Sequence, residues 1–137
     1  METVSRVAVT RDGGVAGDAR GKSMRRKGRQ VSLIETESWN AAMSDMGLSG
    51  SDALPWHVRR ANLLVEGLRL PREPGGVIAI GPSLRIEVTM ECDPCSRMEE
   101  VRPGLKDALM PDWRGGVLGT VLSDGEIAVG DEVRIEE

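Results

Sequence analysis

The chain of 137 residues contains no Phe or Tyr, three Trp and 17 Gly, and its formal net charge is -4 at pH 7. That length suits one domain burying about 65% of the surface its unfolded form exposes, so Val, Leu, Ile, Ala and Met must fill the core. A net negative chain is a poor general nucleic-acid binder, because nonspecific affinity comes from neutralising phosphates, and no segment approaches the ~20 apolar residues that span a membrane.

In chain order, "SRVAVT" alternates around Val7 and Val9 and predicts a first strand. Gly13, Gly14 and Gly17 then punctuate a loop running into "RGKSMRRKGRQ" (20–30), which carries six cations and no acid. "RQVSLIE" restores alternation through Val31 and Leu33, a second strand. "TESWNAAMSDMG" predicts a short helix with Thr36 or Ser38 as its cap, Trp39, Ala42, Met43 and Met46 on one stripe, and Gly47 as its stop. That stripe reads as core packing. A loop rich in Gly, Ser and Asp follows, and "RANLLVEGLRL" predicts a strand and a turn.

The second half echoes itself. "GVIAIGPSLRIE" (76–87) and "GEIAVGDEVRIE" (125–136) share a short strand, a Gly-led turn and a longer strand. In the longer strand Leu84 and Ile86, or Val133 and Ile135, face one side, with Arg85 and Glu87, or Arg134 and Glu136, on the other. Between the two echoes lie a helical piece, "CSRMEEVRPGLKDALM", broken at Pro103-Gly104, and a strand, "GVLGTVLSDG". Asp124-Gly125 reads as a turn into the final strand. The pattern predicts a mostly β fold, a small distorted β-barrel with two or three short helices in its connections. No alternation of helix and strand points to a doubly wound sheet.

Two motifs bear on chemistry. "AGDARGKS" (16–23) fits a relaxed phosphate-loop spelling, but a charged segment and a strand follow Lys22 and Ser23 where a phosphate loop opens a helix. A glycine-rich basic loop that touches anions is the better reading. The two cysteines, Cys92 and Cys95, have C-x-x-C spacing. A dithiol redox centre of the thioredoxin kind wants a βαβ setting that is missing here, and a closed zinc site wants four ligands where only His57 is spare. The third reading is a single working thiol, Cys95, after Pro94 and at the expected opening of a helix, with Cys92 as resolving partner or core residue; its polar turn between Asp93 and Ser96 weighs against an inert buried cysteine. Two cysteines make no disulfide framework, and "METVSRVAVTRDGG" has no leader-like apolar run, so a cytoplasmic protein without membrane or nucleic-acid partners is expected.

Taken together, the motifs resemble the MOSC domain, named for the C-terminal domain of molybdenum cofactor sulfurases. The likeness runs from about Val15 to Val133. It rests on Gly17-Asp18 followed by a basic residue, "RQVSLIE" (29–35), "RANLLVEGL" (60–68), "IGPSLRIEVTMECDPC" (80–95), "WRGGVLGTV" (113–121) and "GEIAVGDEV" (125–133). The resemblance implies one MOSC-like β-barrel domain over residues 1–137, with Cys95 as the key residue. That thiol either carries persulfide sulfur from a pyridoxal-phosphate-dependent desulfurase or ligates molybdenum. It also implies an Arg-x-Asn element at Arg60 and Asn62, beside a cofactor whose phosphate suits Arg20, Lys22 and Arg29.

The sequence departs from the family where a histidine often follows Gly-Asp, for Arg20 stands there. The larger reductases of the family add an N-terminal barrel domain, which 137 residues do not accommodate. A sulfurtransferase and a component of a molybdenum-dependent reductase both stay open, with a cysteine desulfurase or a molybdoenzyme as partner and the oligomeric state undetermined. So do a non-catalytic module that binds an anion or a partner through Arg25, Arg26 and Arg29, and a dithiol redox protein.

Overall fold

The computed structural model describes residues 6–16, 28–48, 50–56, 61–94 and 96–136. In chain order its elements are β1 (Arg6–Thr10), β2 (Gly14–Val15), β3 (Val31–Glu35), α1 (Thr36–Asp45), β4 (Leu63–Val65), β5 (Val77–Ile80) and β6 (Leu84–Glu91). There follow α2 (Ser96–Val101), α3 (Leu105–Leu109), β7 (Val117–Ser123), β8 (Gly125–Ala128) and β9 (Val133–Glu136), with short 3₁₀ turns at Gly50–Asp52 and Pro111–Trp113. Six strands form a curled half-barrel in the order β4-β3-β7-β6-β5-β9, and β2-β1-β8 form a second, three-stranded sheet. The expectation of a mostly β, distorted barrel with two or three short helices holds, with three α-helices among the described residues.

Strand alternation sorts side chains between two apolar clusters. Val31, Leu33, Ile78, Leu84, Ile86 and Val121 line the inside of the half-barrel, where Val9, Val15 and Ile127 of the small sheet join them. On the opposite face Ile34 meets Trp39, Ala42 and Met43 of α1, Ala61, Met98 of α2, and Leu105 and Leu109 of α3. Neighbours Leu33 and Ile34 are both fully buried on opposite faces of β3, each worth about 1.5–3 kcal/mol of burial. β3 therefore ties the barrel to its helical cover.

Three expectations change. α1 has Glu35 in the cap position, with no capping side chain. The Glu35 carboxylate instead accepts from the Leu70 N–H at 3.3 Å and from the Arg72 guanidinium, and Thr36 Oγ1 is buried without a partner. β3 and β4 pair in parallel, Leu33 beside Leu63, so the chain contains one β-α-β crossover inside an otherwise antiparallel sheet. Asp124-Gly125 does not turn into the final strand: β8 pairs with β1, and the Asp124 carboxylate accepts the Arg11 N–H at 2.7 Å. Gly47 ends α1 as expected, at φ 72°. Among the described residues no helix is long and apolar enough to cross a membrane.

Candidate functional site

A β-bulge decides which face the end of β6 presents. Val88 pairs with Gly119 but Met90 pairs with Leu118, so Thr89 is an extra residue without an opposite number. Ile86 and Val88 are buried in the barrel core. Met90 lies opposite Leu118, and Leu118 lies opposite Ser32, next to Ile34 on the helical side of the sheet. The bulge thus swings the strand end from the barrel interior to the face shared by Ser32 and Leu118.

The side chains on this row are held by one another. Thr89 donates its hydroxyl toward the Gly28 and Leu118 carbonyls, the latter at 3.1 Å. Gly28 has φ 70°, and a Cβ there would lie 3.1 Å from Thr89 Cβ and Oγ1. Backbone direction and the close approach both call for glycine at that position. The chain then delivers Arg29, whose guanidinium approaches Met90 Sδ at 3.7 Å and is exposed. Gln30 is 1% exposed and joins the two sheets: Nε2 donates to the Arg11 carbonyl at 2.7 Å, and Oε1 accepts the Val121 N–H at 2.9 Å.

Asn62 enters the row from the position just before β4, the strand beside β3. Ser32 donates its N–H and its hydroxyl to Asn62 Oδ1 at 2.9 and 3.2 Å. Asn62 returns its own N–H to the Ser32 hydroxyl at 3.0 Å and to the Ser32 carbonyl at 3.1 Å. Two donors on Oδ1 fix the amide plane and turn its donor end, Nδ2, away from Ser32.

Cys92 follows the strand end, half-buried, with its N–H donated to the Gly116 carbonyl at 2.9 Å. Gly116 has φ 103°, and a Cβ there would stand 2.2 Å from the Leu33 carbonyl oxygen, which accounts for glycine in "WRGGVLGTV". Glu91 and Asp93 flank Cys92. Burial, then the charge and hydrogen bond of Asp93, push the Glu91 carboxyl above the ordinary range. Pro94 is buried, and α2 begins at Ser96.

The loop carrying Gly116 is anchored from below. Asp112 (φ 50°) and Trp113 (φ 52°) both adopt left-handed backbone, and Arg69 grips Asp112 through two bonds of 2.8 and 2.9 Å. That contact, opposed by some desolvation, holds the Asp112 carboxyl below its usual range. Arg72 pairs with buried Glu35 and lies 3.7 Å from Asp112.

Of the residues expected at a site, Arg29 and Asn62 are described, on neighbouring parts of one sheet face. Cys95, Arg20, Lys22 and Arg60 lie outside the described residues, as do His57, Arg25, Arg26 and most of the phosphate-loop spelling. Sequence reasoning missed Ser32, Thr89 and Gln30. Ser32 had a signal, a polar residue at an alternating position of a strand otherwise buried throughout.

A sequence model of the MOSC domain matches residues 20–134 of the chain. The chain belongs to the MOSC domain family. Solved structures agree on the fold. The MOSC chain superposes on the YuaD protein of Bacillus subtilis with TM-score 0.76 at 20% identity, covering 98% of itself and 86% of that protein. It matches YiiM from Geobacillus stearothermophilus with TM-score 0.71 at 19% identity, covering 98% of itself. YiiM from Escherichia coli gives TM-score 0.71 at 15% identity over 100% of this chain. The chain spans 62% and 65% of the lengths of those two YiiM proteins. No curated protein sequence matches it.

Proposed function

We propose that this MOSC domain handles sulfur or binds the molybdenum cofactor, with Cys95 Sγ as its working atom. The observation that carries the reading is the family match over residues 20–134, a range that includes Cys95. In the sulfur-carrier branch, the Cys95 thiolate attacks the outer sulfur of a donor persulfide. The S–S bond breaks, its electron pair leaves on the donor thiolate, and Cys95 holds the sulfane sulfur. A pyridoxal-phosphate-dependent cysteine desulfurase is the donor of that chemistry, and a molybdoenzyme the natural acceptor. The domain then acts as a sulfurtransferase or as a component of a molybdenum-dependent reductase, in the cytoplasm.

The described residues fit an anionic cofactor at two points: the Arg29 guanidinium is exposed beside Met90, and the Asn62 amide is held in place by two bonds from Ser32 to its oxygen. Arg29 and Asn62 would hold the phosphate-bearing part, joined by Arg20, Lys22 and Arg60. Glu91 and Asp93 repel an anion, which assigns that part to the Arg29 side of the row. When bound, the cofactor supplies a metal already ligated by sulfur, to which a soft Cys95 thiolate is suited.

Incubation with a cysteine desulfurase and cysteine should add about 32 Da, one sulfur atom, to the wild type and nothing to Cys95→Ser. Molybdenum analysis of protein from its own host reads the other branch. Cys92→Ser is the control, because equal loss from either variant marks a dithiol centre. An unreactive Cys95 with no molybdenum bound would leave an anion- or partner-binding module.

A further inference from the structure

We propose that two copies of this chain pair antiparallel through the outer edge of β9, joining their six-stranded sheets into one. Three observations lead there: an edge with outward-pointing backbone groups, a self-complementary charge pattern, and a register in which both are satisfied together.

β9 ends the strand order of the large sheet, with β5 on one side and no described strand on the other. The ladder register aligns Ile80 with Val133, Ile78 with Ile135, and Ala79 with Arg134. The Gly81 N–H donates to the Glu132 carbonyl at 2.9 Å, so that pair is of the hydrogen-bonded kind. Antiparallel pairs alternate between bonded and non-bonded. The Arg134 and Glu136 backbone groups therefore point to β5, and those of Val133 and Ile135 point away from it. No described group hydrogen-bonds the Val133 or Ile135 backbone from the outer side. An edge of this kind is a template for another strand.

The sequence of β9 selects a copy of itself. Val133 and Ile135 pack against the barrel core, while the side chains of Arg134 and Glu136 are 42% and 45% exposed. A two-fold axis through Ile135 sets Ile135 opposite Ile135 of the second copy, exchanging two N–H···O=C bonds. In the same register Arg134 lies opposite Glu136 of the second copy, and Glu136 opposite Arg134 of the second copy. These are non-bonded pairs, whose side chains stand closest. A slip by one residue would turn apolar side chains outward. A slip of the axis to Val133 would recruit the backbone of Asp131, whose N–H already donates to the Ala128 carbonyl at 3.1 Å.

In the single chain Arg134 pairs with Glu132 at 2.9 Å and Glu136 with Arg85 at 2.8 Å. Both are surface pairs, and both partners have bonding capacity left for a neighbour across the axis. Four strand residues per copy bury less than about 1,200 Å² in all, the class of weak and transient interfaces.

Sedimentation equilibrium across a concentration series tests the pairing on the full chain. The wild type should show a reversible monomer–dimer equilibrium. Arg134→Glu sets like charges opposite each other twice and should weaken association by about tenfold, and the double variant Arg134→Glu/Glu136→Arg should restore it. Hydrogen exchange on the wild type needs no variant: the Val133 and Ile135 amides should gain protection as concentration rises. A chain that stays monomeric at its highest soluble concentration overturns the proposal. So does a dimer indifferent to Arg134→Glu. Concentration-independent protection of the two amides would also overturn it, since that would place another segment of the same chain on the edge.

Discussion

Segments 76–87 and 125–136 share Gly, Ile-Ala, Gly, Arg-Ile-Glu at matching places, yet they are used differently. The first folds on itself: β5 pairs with β6, Ile80 against Leu84, in a tight hairpin. The second is divided between the sheets, β8 going to β1 and β9 to β5. The consequence shows at corresponding positions, for Ile80 is 4% exposed and Val129 83%. The turns explain it. Asp131 closes the second one twice, its N–H donating to the Ala128 carbonyl at 3.1 Å and its carboxylate accepting the Ala128 N–H. Pro82, in the same place of the first segment, has neither an N–H nor a side-chain acceptor, and the flanking strands close the hairpin instead. Alternation specifies strands; a single turn side chain directs where they pair.

The comparison can be broken by mutation. The largest effect is expected at the unequal pair: Ile80→Ala should cost about 2–5 kcal/mol in urea unfolding, whereas Val129→Ala should stay within about 0.5 kcal/mol. Similar costs at the two positions would mean that the second turn is as buried as the first. Next comes Asp131→Ala, which removes one acceptor from the dividing turn and should cost about 0.5–1.5 kcal/mol. The equivalent Pro82→Ala removes no hydrogen bond, so a larger loss there would reverse the account of the turns. The smallest effect belongs to the bridge between the segments. Arg85→Gln breaks the pair with Glu136 and should cost about 0.2–1 kcal/mol in low salt, shrinking as salt is added.

Much of this architecture was legible locally. The alternation in "RVAVT", "VSLIE" and "LRIEVTME" marks β1, β3 and β6, and the Trp39, Ala42, Met43 stripe marks the face that α1 buries. Pro103-Gly104 separates α2 from α3, as expected, with Gly104 at φ 94°. What was not legible depends on partners distant in sequence. The parallel pairing of β3 with β4 and the Ser32–Asn62 lock join residues 30 apart. The Glu35–Arg72 pair spans 37, and the helix begins at Thr36, so Thr36 and Ser38 fall inside it and Glu35, its carboxylate engaged elsewhere, holds the cap position. At the site, Asn62 was reached through family resemblance and Arg29 through the basic run. Thr89 carried no local mark, because a bulge is defined by the strand opposite, and that strand begins at Val117.

Thr89 also sets a parity rule for the chain that follows it. Side chains alternate with a period of two, so one uncounted residue inverts the assignment of every later position in the strand. The spacing between Val88 and Cys92 is thus under tighter constraint than the identities of the residues that fill it. Homologues that lengthen or shorten this stretch by one would exchange the lining of the oily interior for that of the polar rim, and those that change it by two would keep both.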